Sequence, residues 1–379
     1  MTKFPPRIRK LVDRLFEIAD DPATLYGDDR VRTGIIHKLL KVEADRAKKP
    51  APCMYRGCDR LSIARSHTIQ RSGPITGLLE GHHVLTPVRT PRGYHLQKIG
   101  ADDASTFPGF CSKHEGIFSA FETTSTIATD HHVALQTFRT ICREIRQQRR
   151  EERFFTSILE DRIGRLEAIA RKEDLQSKYK FESVSVQGGA YTILRDLIVK
   201  ASRLAQGLEQ LYDLHFDAVD RQVQTGLCSI AIKSNVLVPV ALSGVVEFFG
   251  HDKVFTWVAG VIPQEEGSLL YVAGHPDDQV EIEEYLAKQR SDLDLIDIIE
   301  SWMVRHTDHW FIRPSVWNSI PADRQDRIMS DMLAKSGVGE RYDLSIFDDL
   351  RRMALDVPVD IALSPAHRIK LEEQQRKIA

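Results

Sequence analysis

The stretch APCMYRGCDRLSIARSHTIQRSG, Ala51–Gly73, holds two of the chain's five cysteines, a histidine and four arginines. Cys53 and Cys58 stand at the spacing of a metal knuckle. Further along, STFPGFCSKHEGIF, Ser105–Phe118, supplies Cys111 and His114 three positions apart, where a loop enters a helix. Together the two stretches offer three thiolates and an imidazole, the Cys3His donor set of a closed tetrahedral zinc site. A knuckle, a β-hairpin and a helix carrying the last ligands make the treble-clef plan. The alternative is a pair of separately buried cysteines and an unrelated Cys-x-x-His. Cys142 and Cys228 read as small buried hydrophobes, one on the apolar side of a helix and the other in a strand.

The rest of the chain is organised around that region. A length of 379 residues implies two or three domains, and 42% apolar with 28% charged residues is the composition of a folded soluble protein. The formal net charge of −2 excludes an overall basic nucleic-acid binder. Between Cys53 and Arg153, however, Lys and Arg outnumber Asp and Glu, and half of the 14 histidines lie there. An odd cysteine count favours a reducing compartment with a metal site over a disulfide framework. MTKFPPRIRKL lacks the apolar core of a signal peptide, and no run approaches the length of a membrane span. The expectation is a cytoplasmic protein with no membrane partner.

Hydrophobic periodicity predicts an α+β chain in four segments. Residues 1–50 read as an N-terminal helical segment, with two helices over 7–48. Residues 51–125 read as the treble-clef zinc module, with HVLTPV and GYHLQKI as strands around a turn at RTPRG and a helix from Cys111 onward. Residues 126–222 read as helical. Residues 223–379 read as a β-rich region with flanking helices, a sensor or assembly region, with HWFIRPSVW as an aromatic loop and a frayed, charged tail. On the first long helix, Leu135, Phe138, Ile141, Cys142 and Ile145 share one face, and Arg139, Arg143, Arg146, Arg150 and Arg153 recur every three or four residues as a basic stripe. Such a stripe either binds a polyanion or is a solvated face neutralised by Glu144 and Glu151. His67 has the residue type of a general base, since histidine titrates near neutral pH without tuning; the alternative is a histidine satisfied by hydrogen bonds within the treble clef.

The succession C-x4-C, SHTIQ, STFPGFCSKHE and IFSAFE resembles a family of bacterial HNH-like, treble-clef zinc-finger proteins of phage defence, whose shared pattern is close to SHTI…ASTFPGFC..HD..LF..IE. The likeness is sharp over residues 53–146, thin over 309–321 and absent elsewhere. It implies a structural Zn2+ on Cys53, Cys58, Cys111 and His114, with His67 as the catalytic histidine. Glu115, standing where the family usually has Asp, and Glu122 would be the accompanying acids. It further implies an endoribonuclease that stays dormant until it assembles, as a homo-oligomer, on a ring-forming phage protein. Arg65, Arg71, Arg139, Arg143, Arg146 and Arg150 are the candidate RNA contacts. Two departures matter. Ser66 replaces the acid that precedes the histidine in HNH nucleases, and no second metal-binding histidine is plain on the helix. Both weigh against metal-dependent DNA cleavage and leave RNA, whose 2′-OH is an internal nucleophile. An HNH-type DNase and a non-enzymatic zinc-containing interaction module are the competing readings.

Overall fold

The computed structural model describes residues 6–172, 189–221, 226–250, 253–289, 291–334, 341–355 and 365–378. Three helices come first: α1 (Pro6–Asp20), α2 (Pro22–Tyr26) and α3 (Asp29–Ala47). Two were expected here. The Asp21 carboxylate accepts the N–H groups of Ala23 and Thr24 and starts a separate helix, which Gly27 closes in the left-handed conformation. The cysteine-rich region follows with β1 (Ser66–His67), β2 (His83–Thr90), β3 (Gly93–Gly100), β4 (Thr106–Phe107), α4 (Ser112–Glu115) and α5 (Ser119–Glu122). The single helix expected from Cys111 is in fact two turns of α-helix joined by a tighter turn at Gly116–Phe118.

Two long helices, α6 (Asp130–Lys172) and α7 (Gly189–Arg221), fill the expected helical region, of which 173–188 and 222 lie outside the described residues. Then come β5 (Cys228–Ser234), β6 (Val240–Phe249), β7 (Val254–Gln264), β8 (Gly267–Gly274), α8 (Gln279–Ala287) and α9 (Asp292–Ser301). After these follow β9 (Trp310–Ile312), α10 (Pro314–Asn318), α11 (Ala322–Ala334), α12 (Asp348–Leu355) and α13 (Pro365–Ile378). Two expectations fail here. The aromatic stretch HWFIRPSVW is strand β9 running into α10, with Trp310, Phe311 and Ile312 all buried. The tail is helical rather than frayed: Gln374 is buried, and Lys377 Nζ donates to Asp297 at 2.9 Å. No helix among the described residues is long and apolar enough to cross a membrane.

The chain divides into two compact units. The first comprises residues 1–47, 90–92 and 145–206, and α1, α2 and α3 lie within it. Its apolar contacts gather Ile18, Leu25, Tyr26, Leu166 and Tyr191 in one cluster and Phe154, Phe155, Ile158 and Leu194 in another. The buried Glu43 carboxylate receives Arg153 at 3.1 Å.

The second unit comprises 48–89, 93–144 and 207–379 and holds the sheets. Seven strands run in the order β3-β2-β9-β6-β7-β8-β5. The β2–β3 hairpin, expected to belong to the treble clef alone, forms one edge of this sheet through the pairing of Leu85 with Ile312. The cysteine-rich region keeps a smaller sheet of its own, β1 against β4, with Ser66 opposite Phe107 and His67 opposite Thr106.

The central strands are apolar on both faces, the pattern of a sheet covered on both sides. Alternation sorts the faces. Val240, Leu242, Val246 and Phe248 of β6 and Leu270 and Val272 of β8 join a core with Ile296, Ile299 and Trp302. Ser243 and Tyr271 face the other way, toward Thr140 of α6. Gly260 sits across from Tyr271, and a Cβ there would lie 2.2 Å from the tyrosine ring. That close approach requires glycine, and it lets the Tyr271 hydroxyl reach α6.

Candidate metal centre and histidine site

The knuckle is built by backbone bonds. The Cys53 N–H donates to Arg60 O at 2.8 Å and the Cys58 N–H to Tyr55 O at 3.1 Å. Gly57, at φ +74°, takes the left-handed turn between them. Met54 N–H to Gly109 O (2.9 Å) and Ile63 N–H to Phe110 O (2.8 Å) dock the knuckle on the loop that carries Cys111. As a result, one donor atom from each of Cys53, Cys58, Cys111 and His114 lies within 4.8 Å of all the others. Cys53 Sγ and Cys111 Sγ are each 3.5 Å from His114 Nδ1, and Cys58 Sγ is 3.9 Å from Cys111 Sγ. The Cys111 N–H also donates to Cys53 Sγ at 3.3 Å, the kind of bond that stabilises a thiolate ligand. This cluster can hold a metal ion.

The end of α7 supports it. Tyr55 stacks on His114 with ring centres 3.9 Å apart and planes 16° from parallel, and its hydroxyl bonds to Asp220. Arg56 reaches Asp213 (2.7 Å) and Asp217 (3.2 Å), and the Tyr212 hydroxyl donates to Met54 O at 2.6 Å. None of these α7 residues carried a sequence signal, because aromatic and acidic positions on a helix read as surface until their partners are known.

His67 lies on β1. Its Nδ1 is 3.0 Å from Ala104 O. A carbonyl can only accept, so Nδ1 carries the proton and Nε2 bears the lone pair. Burial holds the His67 pKa below the ordinary histidine value, aided by the charges of Arg139 and Arg71 and opposed by the Ala104 bond and Glu122. The imidazole is thus a neutral base with a fixed tautomer.

Arg139 does not belong to a solvent-facing stripe. It is fully buried; its Nη2 lies 2.8 Å from Glu115 and 2.7 Å from Glu122, and Phe118 covers its guanidinium at 3.9 Å. Burial raises the Glu115 carboxyl above its usual pKa, while Arg139 and Ser66 pull it back. The three residues expected to act as catalysts are therefore brought together: Arg139 ties Glu115 to Glu122, and Glu122 acts electrostatically on His67. Arg143 is largely buried beside Glu144, and Arg146 and Arg150 are half-buried. Arg65 and Arg71 remain at the surface, with side chains 61% and 54% exposed, paired to Asp103 and Asp102. Cys142 is fully buried in α6 and Cys228 half-buried in β5.

No family model matches the chain, and neither a curated protein nor a solved structure matches it.

Proposed function

We propose that this chain is an RNA-cleaving nuclease with a structural zinc, of the HNH-like treble-clef kind found in bacterial phage defence. The observation that carries the reading is His67. It is a half-buried imidazole pinned by Ala104 O so that Nε2 is the base, on the strand that pairs with the one leading into Cys111. Zinc is the metal the donors favour. Three thiolates and an imidazole suit it, and tetrahedral bonds of about 2.0–2.3 Å set ligand atoms roughly 3.5–3.8 Å apart, which agrees with the separations of 3.5 and 3.9 Å. Four protein ligands close the ion to substrate, so it contributes folding energy and no chemistry.

In this reading His67 Nε2 takes the proton from a ribose 2′-OH. The 2′-oxygen attacks the adjacent phosphorus, a cyclic phosphate forms, and the departing 5′-oxygen takes a proton from water. Arg71 and Arg65 are the phosphate contacts. Their exposed pairs with Asp102 and Asp103 are weak enough to exchange for a phosphate. Arg139 orders Glu115 and Glu122 instead of touching RNA. The chain works in the cytoplasm and stays quiet until copies gather on a multivalent, ring-forming phage protein, which raises the local concentration of catalytic sites.

The test incubates purified protein with tRNA, mRNA and duplex DNA, with and without a ring-forming phage protein. RNA cleavage that rises with the ring protein and needs no added Mg2+ is expected. DNA cut in preference, only with Mg2+, would make the chain an HNH-type DNase. Cleavage of neither would leave a zinc-containing interaction module.

A further inference from the structure

Ser105 stands just before β4 in the left-handed conformation, φ +62°, which side-chain-bearing residues rarely adopt. Its neighbourhood explains the strain. Ser105 O accepts the Thr68 N–H at 2.8 Å, Ser105 Oγ accepts the Ile69 N–H at 2.7 Å, and the preceding carbonyl, Ala104 O, accepts His67 Nδ1–H at 3.0 Å. His67 and the two residues that follow it, Thr68 and Ile69, are thus held by two residues, Ala104 and Ser105. The Ser105 hydroxyl also lies 3.4 Å from Nε2 of His309, a buried residue one position before β9. His309 Nδ1 is 2.7 Å from Ser243 O. That carbonyl fixes the Nδ1–H tautomer and leaves Nε2 as the acceptor for Ser105 O–H.

The contacts close into a ring. Ser243 Oγ bonds to Thr140 Oγ1 at 2.6 Å, Thr140 to Gln136 Nε2 at 3.3 Å, and Gln136 Nε2 to Thr68 O at 3.0 Å. Thr68, next to His67, is therefore gripped through its N–H by Ser105 and through its carbonyl by Gln136. Every side chain in the ring is buried.

We infer that Ser105 and His309 are positioning residues for His67, through which the seven-stranded sheet sets the tautomer and placement of the catalytic imidazole. This rests on the reading of His67 as the base. His309 can play that part over the whole physiological range. Burial, with the charge of Arg143, holds its pKa down to about 3 against the Ser243 carbonyl and Asp308, so its acceptor is never lost to protonation. The charged groups acting on His67 itself, Arg139, Glu122 and Arg71, lie outside the ring. The sheet that sequence marked as a sensor or assembly region thereby reaches the site through two hydrogen-bonding side chains.

The test is the imidazole nitrogen NMR spectrum of full-length protein labelled with 15N-histidine, read beside RNA cleavage. Wild-type His67 is expected as the Nδ1–H tautomer. Ser105→Ala and His309→Asn should move it toward the Nε2–H form that free histidine prefers. His309→Gln, whose carboxamide oxygen can stand where Nε2 does, should restore it. In cleavage, the first two variants should lose about tenfold or more in kcat with little change in KM, and His309→Gln should recover. A His67 spectrum unchanged in both Ser105→Ala and His309→Asn overturns the inference, and Ser105→Ala alone decides if His309→Asn does not fold. If the spectra shift as expected but no form cleaves RNA, the nuclease reading falls and the positioning role stands.

Discussion

At the scale of single residues, Arg139 shows why spacing alone misleads. Arginines three and four apart on α6 read as a stripe facing solvent or RNA, because periodicity reports which residues share a face and not what lies against it. The partners that bury Arg139, Glu115 and Glu122, come from a different part of the chain. Removing one member of a buried pair strands the other charges. Arg139→Met should therefore cost about 3 kcal/mol of unfolding free energy in urea. Arg71→Met, which breaks only an exposed pair with Asp102, should cost less than about 1 kcal/mol. Equal, small losses for the two variants would mean that the Arg139 cluster is not an internal brace. The convergence of Cys53, Cys58, Cys111 and His114 was legible at this scale, since two tight pairs of soft donors carry their own geometry. Ser105 and His309 were not. Ser105 was visible only as part of a motif, and nothing in a lone serine or histidine announces a left-handed backbone or a buried acceptor.

Among the elements, long periodic helices and Val/Ile-rich strands could be read from sequence, and what each packs against could not. The β2–β3 hairpin has a local turn and local pairing, so it looks self-contained. Its membership of the large sheet depends on β9, a three-residue strand too short to show alternation and followed at once by Arg313 and Pro314. Two buried histidines lie in or beside these elements. His309 precedes β9, and His215 of α7 bonds to Ala134 O at 2.8 Å. Burial depresses the pKa of His309 to about 3 and of His215 to about 4. Because the folded values lie below the ordinary value of 6.5, the unfolded chain binds more protons between them. The stability these two histidines contribute is therefore full above about pH 6.5 and falls as pH drops toward 4. Thermal midpoints measured from pH 7 to 5 should decline, and less steeply for His309→Gln. The variant keeps the Cys53, Cys58, Cys111 and His114 cluster, so acid release of any metal held there would affect both alike. Identical slopes would show that His309 is not held neutral in the folded protein.

For the molecule as a whole, the α+β class was evident from sequence, but the separation of a zinc module from a β-rich region was a reading of segments along a line. In the fold, β2 and β3 share a sheet with β5 to β9, and the strand bearing His67 is bonded through Ser105 and His309 to that same sheet. In the proposed function His67 performs the chemistry, while a metal held by Cys53, Cys58, Cys111 and His114 would only hold the fold. One paired measurement tests this most directly: RNA cleavage and zinc content of wild-type protein and His67→Ala, both with the ring-forming phage protein present and contaminating ribonucleases excluded. The expected result is one zinc per chain in both proteins, cleavage by the wild type and none by the variant. Cleavage by His67→Ala at the wild-type rate would contradict it.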